Sequence, residues 1–415
     1  MQSRSHSKWS WMVLGAAALV VGMASADVPA ADGQWPGLWG ADRNAAAAGA
    51  GWKVGPATQA KVLWRRPIGS GYSEVAIVDG RGYTMDTDGT SDRAVAFDPA
   101  TGKEIWAVPV GAMYKGHDGS DDGPISTPTV DGGQVFVLGP HGGLFALAAA
   151  DGKVLWKRDL AAELKIAAPF YGFAAAPLVA GKLVIVQAGG ETHNLVAFDR
   201  ATGKDAWSVA HSKKTGYASP VIATLGGVQQ VVSLTADQAF GVRAEDGKLL
   251  WNHPVPDEPG RGPLVLPGDR VLVSFWGESI LLQLSGNSKD GPFAAKEVWK
   301  KPQFRGTYSP TVFHAGHLFG MNGDYLVCVD PATGETKWRQ KVYGNSLIRV
   351  GDHLAVLGRS SGNLHLIDAS PEGYREHLKA RVFNPGARSY TGPSFAGGRL
   401  YLRNLEELVA VEITG

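Results

Sequence analysis

Short runs in which apolar and polar side chains alternate, each closed by a glycine turn, follow one another from about residue 60 to the C-terminus. Pro128-Thr-Val-Asp-Gly-Gly-Gln-Val-Phe-Val137 and Pro177-Leu-Val-Ala-Gly-Lys-Leu-Val-Ile-Val186 are typical. A period of two puts alternate side chains on opposite faces of a strand, and Gly supplies the positive φ of a tight turn. Apolar patterns of helical period are scarce. One segment recurs almost unchanged, as Val95-Ala-Phe-Asp-Pro-Ala-Thr-Gly-Lys-Glu-Ile-Trp106, Val196-Ala-Phe-Asp-Arg-Ala-Thr-Gly-Lys-Asp-Ala-Trp207 and Val327-Cys-Val-Asp-Pro-Ala-Thr-Gly-Glu-Thr-Lys-Trp338. Shorter versions run from Phe145 to Trp156 and from Phe240 to Trp251. Each is a hairpin: an apolar strand, an Asp to cap the turn, a Gly, and a strand closing on Trp. With the alternating run ahead of it, each unit predicts a four-stranded antiparallel meander. Such a sheet cannot bury both faces alone, but neighbours stacked around an axis can.

The closing residues Trp64, Trp106, Trp156, Trp207, Trp251, Trp299 and Trp338 lie 39 to 51 residues apart, the period of propeller blades. A further closing position without Trp is expected near Val382-Phe383, after the degenerate copy Leu364-His-Leu-Ile-Asp368. The chain then has three strands left, Ser394–Phe395, Arg399–Arg403 and Glu407–Ile413, while Lys61-Val-Leu-Trp64 ends a blade with no blade before it. The N-terminal strand therefore completes the last sheet and leaves no open edge. The predicted fold is all-β: an eight-bladed β-propeller of four-stranded antiparallel blades over residues 61–415, its ring closed by an N-terminal strand. A seven-bladed ring is the alternative, with the Leu364 copy as an insertion.

The N-terminus changes the picture of where the protein works. Arg4 and Lys8 precede the apolar run Trp11–Met23 and Ala24-Ser25-Ala26, so residues 1–26 read as a signal peptide and the mature chain as periplasmic or secreted. No cysteine sits directly after Ala26 to accept a lipid, and no later run is long and apolar enough to span a bilayer. Residues 27–60, with Ala45–Ala48 and flanking Gly, read as an extended arm. With Cys328 as the lone cysteine no internal disulfide forms, so packing must supply stability. Forty basic residues against 39 acidic ones give a net charge of +1, which removes a global reason to expect nucleic acid or an anionic membrane as partner. A monomer is expected.

The Asp-x-x-Thr-Gly-Lys-x-x-Trp segment resembles the repeat of the pyrroloquinoline quinone (PQQ) propeller superfamily, and the match spans roughly residues 61–415. The resemblance implies that Trp106, Trp156, Trp207, Trp251, Trp299 and Trp338 dock against neighbouring blades. Two branches bear on function: quinoprotein dehydrogenases, which hold PQQ and Ca²⁺ over the channel, and cofactor-free propellers such as the BamB component of outer-membrane β-barrel assembly. The alcohol-dehydrogenase type places PQQ against a ring of two adjacent cysteines, which this chain cannot make. Trp35-Pro-Gly-Leu-Trp-Gly-Ala-Asp-Arg43 is similar to an N-terminal signature of exported BamB-like, PQQ-binding-like propellers.

Self-contained catalytic signatures are absent: no G-x-S-x-G, H-E-x-x-H, C-x-x-C or phosphate loop ending in Gly-Lys-Ser/Thr occurs. Asp118, Ser120 and Asp122, followed by Gly123, match the opening of a calcium loop, but the twelfth position is Thr129 rather than a bidentate Glu. Aligning the repeats gathers Lys214, Arg261, Arg305 and Arg388 just ahead of the innermost strands of blades four, five, six and eight. A rim of cations there suits an anionic small molecule, an acidic polysaccharide or PQQ itself, or else fastens the loops. Glu74 precedes blade one and Asp118, Asp121 and Asp122 precede blade two, opposing that charge. Tyr72, Tyr171, Tyr217, Tyr308 and Tyr390 recur at the same positions, to stack on a ligand or to fill the mouth. His314 and His317 flank a turn and lack a third metal ligand.

The leading expectation is a non-enzymatic, cofactor-free binding or scaffold propeller presenting a rigid surface to an envelope protein or polymer. The alternative is a PQQ/Ca²⁺-dependent oxidoreductase of alcohols or sugars. There Lys214, Arg261, Arg305 and Arg388 contact the quinone carboxylates, Asp118 or Asp122 holds the metal, and the catalytic base is unassigned.

Overall fold

The computed structural model describes residues 33–49, 52–189, 191–256, 260, 262–286, 291–305 and 309–415. The expected signal peptide, Arg261 and Tyr308 lie outside them. Eight sheets surround a central axis, each a meander of four antiparallel strands. Blade one runs Ala76–Val78, Arg81–Thr87, Ser91–Phe97 and Glu104–Ala112, from the axis outward, and the plan repeats through blade seven. Blade eight consists of Ser394–Ala396, Arg399–Arg403 and Glu407–Thr414, and Gln59–Pro67 pairs antiparallel with the last of these, with Trp64 opposite Ala410. The N-terminal strand thus closes the ring.

The cores lie between the blades rather than within them. Leu178, Ile185 and Ala197 of blade three pack with Val231, Phe240 and Val242 of blade four, and equivalent clusters fill the other gaps. The repeated turn explains the spacing. In blade three Asp199 Oδ1 accepts Thr202 N at 2.9 Å, and Gly203 adopts a φ of 70°. Trp156 of blade two lies flat on that glycine, 2.7 Å from where a Cβ would sit, and its indole N–H donates to Arg200 O at 2.9 Å. Gly102, Gly152, Gly247 and Gly334 receive Trp64, Trp106, Trp207 and Trp299 in the same way. The Gly and the Trp of the motif are therefore partners across a blade boundary.

Two positions depart from the expected pattern. Trp251 is buried in the core shared with blade five, but its indole donates to Gln230 Oε1 of its own blade at 2.8 Å, over Gly241, rather than to a carbonyl of the next blade. The closing position that lacks Trp is Leu378, not Val382-Phe383. Leu378 pairs with Leu366 as Trp106 pairs with Ala96, and a bulge follows in both blades.

Residues 33–49 run across the axis. Trp35 exchanges two backbone hydrogen bonds with Ile77 of blade one, Pro36 O accepts Val130 N of blade two at 2.8 Å, and Ala46–Ala47 adds a short parallel strand inside blade seven. Trp39, Arg43 and Ala45 take positive φ values of 59°, 50° and 55°. Such backbone is costly for non-glycine residues and persists only where the surroundings enforce it. Here they do, because Trp35, Trp39, Ala45 and Ala47 are buried in the core shared by blades six, seven, eight and one.

Candidate functional site

The loops ahead of the innermost strands and the turns between second and third strands converge on one mouth of the channel. Together they line a cavity of about 550 Å³. Its floor is the crossing segment: Leu38 and Trp39 face the cavity, with Trp39 seated on Gly262 of blade five. Arg43 lies alongside Trp39, fully enclosed. Its guanidinium donates to Pro220 O at 2.8 Å, to Ala176 O and Thr129 Oγ1 at 3.2 Å, and to Pro177 O. One side chain thereby ties blades two, three and four. It faces carbonyls rather than a carboxylate, and burial lowers its pKa to about 9.

Glu74 stands beside this floor, buried at 3% exposure. Its carboxylate accepts Gly392 N at 3.0 Å and Trp39 N at 3.4 Å, bracing the crossing segment against blade eight. Desolvation outweighs those hydrogen bonds and pushes its pKa up to about 7. The carboxyl is therefore poised between its two states near neutral pH.

Aromatic rings form the walls. Tyr72 and Tyr390 meet at 4.9 Å between centroids, and Tyr171 meets Tyr217 edge-on at 5.8 Å. His117 stacks parallel on Tyr171 at 5.4 Å and bonds Phe170 O at 2.7 Å. Trp276 stands on the lip, 52% exposed. Charge enters as Arg305 and Arg359 among the cations and Asp118 and Asp324 among the acids, all exposed along the wall. Arg305 Nε donates to Trp276 O at 3.1 Å, and the Arg359 guanidinium sits 5.3 Å from the Tyr390 ring centroid. Asn345 lines the cavity and carries a buried side-chain N–H group with no hydrogen-bond partner among the described residues.

Of the residues singled out from the repeats, Glu74, Asp118, Ser120 and Arg305 line this cup, as do Tyr72, Tyr171, Tyr217 and Tyr390. Lys214 is exposed beyond the lining, its backbone N–H on Ser212 Oγ at 2.9 Å. Arg388 is ion-paired with Asp121, whose N–H donates to Tyr72 OH at 2.6 Å, so it fastens blade eight to the loop before blade two. Asp122 accepts Gly116 N at 2.8 Å and pairs with Lys115 at 3.3 Å, while Ser120 Oγ caps His117 N at 3.0 Å. The loop's polar groups thus hold the loop itself, and Asp118 alone of its acids faces the cavity. Sequence reasoning missed the floor and the second-to-third-strand turns bearing Trp276, Asp324 and Arg359. Their signal is their place in the repeat, one turn after the positions that were aligned.

Fold and cup together define the class: a PQQ-type β-propeller whose channel mouth is walled by aromatic rings. The family model described as outer membrane protein assembly factor BamB matches residues 90–340, and the chain belongs to that family. BamB of Burkholderia pseudomallei (strain K96243) is 24% identical over 365 residues, covering 83% of this chain and 86% of its own. The quinohemoprotein alcohol dehydrogenase ADH-IIG of Pseudomonas putida is 26% identical over 238 residues, which are 55% of this chain and 30% of that enzyme. Among solved structures, BamB from Moraxella catarrhalis superposes with a TM-score of 0.62 at 16% identity, covering 85% of this chain and 98% of its own. A europium-containing methanol dehydrogenase superposes at 0.66 with 12% identity, over 92% and 98% respectively. At these identities the structural likeness shows the fold alone.

Proposed function

We propose that the chain is a non-enzymatic binding and scaffold propeller of the bacterial envelope, working in the periplasm or outside the cell. The observation that carries this reading is the floor of the cup. The chain's own residues 35–47 cross the axis and are held there by contacts from all round the ring, which leaves an aromatic-walled recess suited to docking. Family membership and the near full-length match to a BamB relative support a protein of the outer-membrane assembly machinery as the partner. Among the described residues no helix is long and apolar enough to cross a membrane.

A second reading, a PQQ/Ca²⁺ oxidoreductase, draws on the alcohol dehydrogenase relative and on a cavity of ligand size. Its donor set speaks against it. Cys328 is buried in blade six with its thiol pushed up to about 12, so no cysteine ring faces the cup. The floor carboxylate, Glu74, is already held by two backbone N–H groups, those of Gly392 and Trp39. Arg388, nominated for the quinone carboxylates, is paired with Asp121.

The test is affinity capture from an outer-membrane extract with the wild-type chain and with Tyr171→Ala/Trp276→Ala, which truncates two rings of the cup. The reading expects an assembly-machinery protein retained by the wild type and depleted at least about fivefold by the variant, about 1 kcal/mol of docking energy. Equal retention by both moves the docking surface away from the cup.

A further inference from the structure

The propeller carries its own internal control, because one structural position can be compared across eight blades. In blades one, three and six the repeat places, at the end of the third strand, an Asp that caps the following turn. Asp98 Oδ1 accepts Ala100 N at 2.7 Å, Asp199 Oδ1 accepts Thr202 N at 2.9 Å, and Asp330 Oδ1 accepts Ala332 N at 2.8 Å. Blade seven departs from this. Its turn is longer, Ser370 Oγ takes over as acceptor, from Glu372 N at 3.2 Å, and Asp368 is released from capping. Asp368 Oδ1 lies instead 2.6 Å from His377 Nε2 and 3.5 Å from His353 Nε2.

Both histidines arise from departures in the same blade. His353 is the residue paired directly across from Asp368, a place that Leu183 takes opposite Asp199 in blade three. His377 is the extra residue of the bulge between Leu378 and Glu376, where blade one has Ile105 and blade three Ala206. This is also the blade in which the closing Trp has become Leu378. Three neighbouring strands thus present two imidazoles and a carboxylate at one height, all half-buried, with the three ligand atoms within 4.8 Å of one another. Among the described residues no other group of three His, Cys, Asp or Glu side chains comes together in this way.

The geometry points to a divalent transition-metal site of the zinc class on blade seven, held by His353 Nε2, His377 Nε2 and Asp368 Oδ1. Two nitrogens and one oxygen are a borderline donor set that zinc accepts at about 2.0 to 2.2 Å. The 3.5 Å between Asp368 Oδ1 and His353 Nε2 matches two ligands about 2.1 Å from one tetrahedral ion. The closer His377 contact is a hydrogen bond that the ion replaces, with a small rotation of the ring and the proton carried on Nδ1. Arg375 approaches the other carboxylate oxygen at 3.9 Å, but its side chain is 72% exposed and can swing into water. Three protein ligands leave one position of the tetrahedron for water or for a side chain of a docked protein.

The experiment is a titration of the chelator-stripped full chain with zinc alone, read by calorimetry and thermal melting, with cobalt as a spectroscopic stand-in for coordination geometry. One equivalent of zinc is expected to raise the melting temperature, and one of cobalt to give the intense ligand-field absorption of a tetrahedral site. His353→Gln and His377→Gln are each expected to weaken zinc binding at least about tenfold. His317→Gln, one residue before the Leu318–Val329 pair of blade six, leaves it unchanged. Melting in chelator checks that each variant folds, and Asp368→Asn replaces any that does not. Absence of zinc-dependent stabilisation in the wild type, or undiminished affinity in the folded variants, overturns the site.

Discussion

Glu74 shows how a single buried side chain can report on the whole site. Its pKa in the folded chain, about 7, lies above the ordinary value of 4.5. Protonation therefore favours the folded state: the stabilisation is complete below about pH 4.5 and is lost as pH rises through 7. A shift of that size corresponds to about 3 kcal/mol. Denaturant unfolding followed from pH 4.5 to 8 is expected to show a decline that Glu74→Gln flattens, whatever the variant does to absolute stability. Asp92, raised to about 6, adds a slope of the same sign, so the comparison is made in an Asp92→Asn background. An unchanged slope would place Glu74 in contact with water. From the amino-acid sequence Glu74 stands out by its position in the repeat, and so do Arg305 and the tyrosines. Arg43 does not, because it lies outside the repeats and its partners are carbonyls of blades three and four and the Thr129 hydroxyl of blade two, which no local pattern encodes. Arg388 and Asp121, 267 positions apart, meet only because the ring closes.

At the level of the element, the Asp-x-x-Thr-Gly-Lys hairpin was legible as a turn but not as a docking surface. Its Gly answers two demands, a positive φ and the absence of a Cβ where the Trp of the preceding blade lies, and only the second depends on the neighbour. Gly203→Ala violates both, with φ at 70° and Trp156 ring atoms 2.7 Å from the added carbon. A loss of about 2 to 3 kcal/mol in urea unfolding is expected. Gly80→Ala, also at positive φ but with open space around the added carbon, isolates the backbone contribution and should cost less. Equal losses would mean that the Trp contact contributes nothing. The misplacement of the closing position in blade seven has a related cause: once Trp is replaced by Leu378, only strand register locates it. The same blade turns its repeat Asp toward two histidines. A degenerate copy can thus mark chemistry as well as drift, and this signal was present in the sequence as His353, Asp368 and His377.

For the molecule as a whole, repetition determines the ring and the crossing segment determines what the ring can do. Eight sheets with an N-terminal closing strand follow from periodicity, turn residues and the unfinished last blade, all readable along the chain. The closed floor does not, since residues 33–49 have no internal copy to be compared with, and their irregular, positive-φ path is set by the blades around them. On the proposed reading, that floor makes the cup a docking recess rather than a cofactor funnel. The direct measurement is a titration of the purified chain with PQQ and Ca²⁺, followed by thermal shift, quinone absorbance and dye-linked oxidation of alcohols and sugars. A binding propeller shows no saturable shift and no turnover while remaining folded. Saturable stabilisation with turnover, abolished by Arg305→Ala, would contradict it and make the cup an active site.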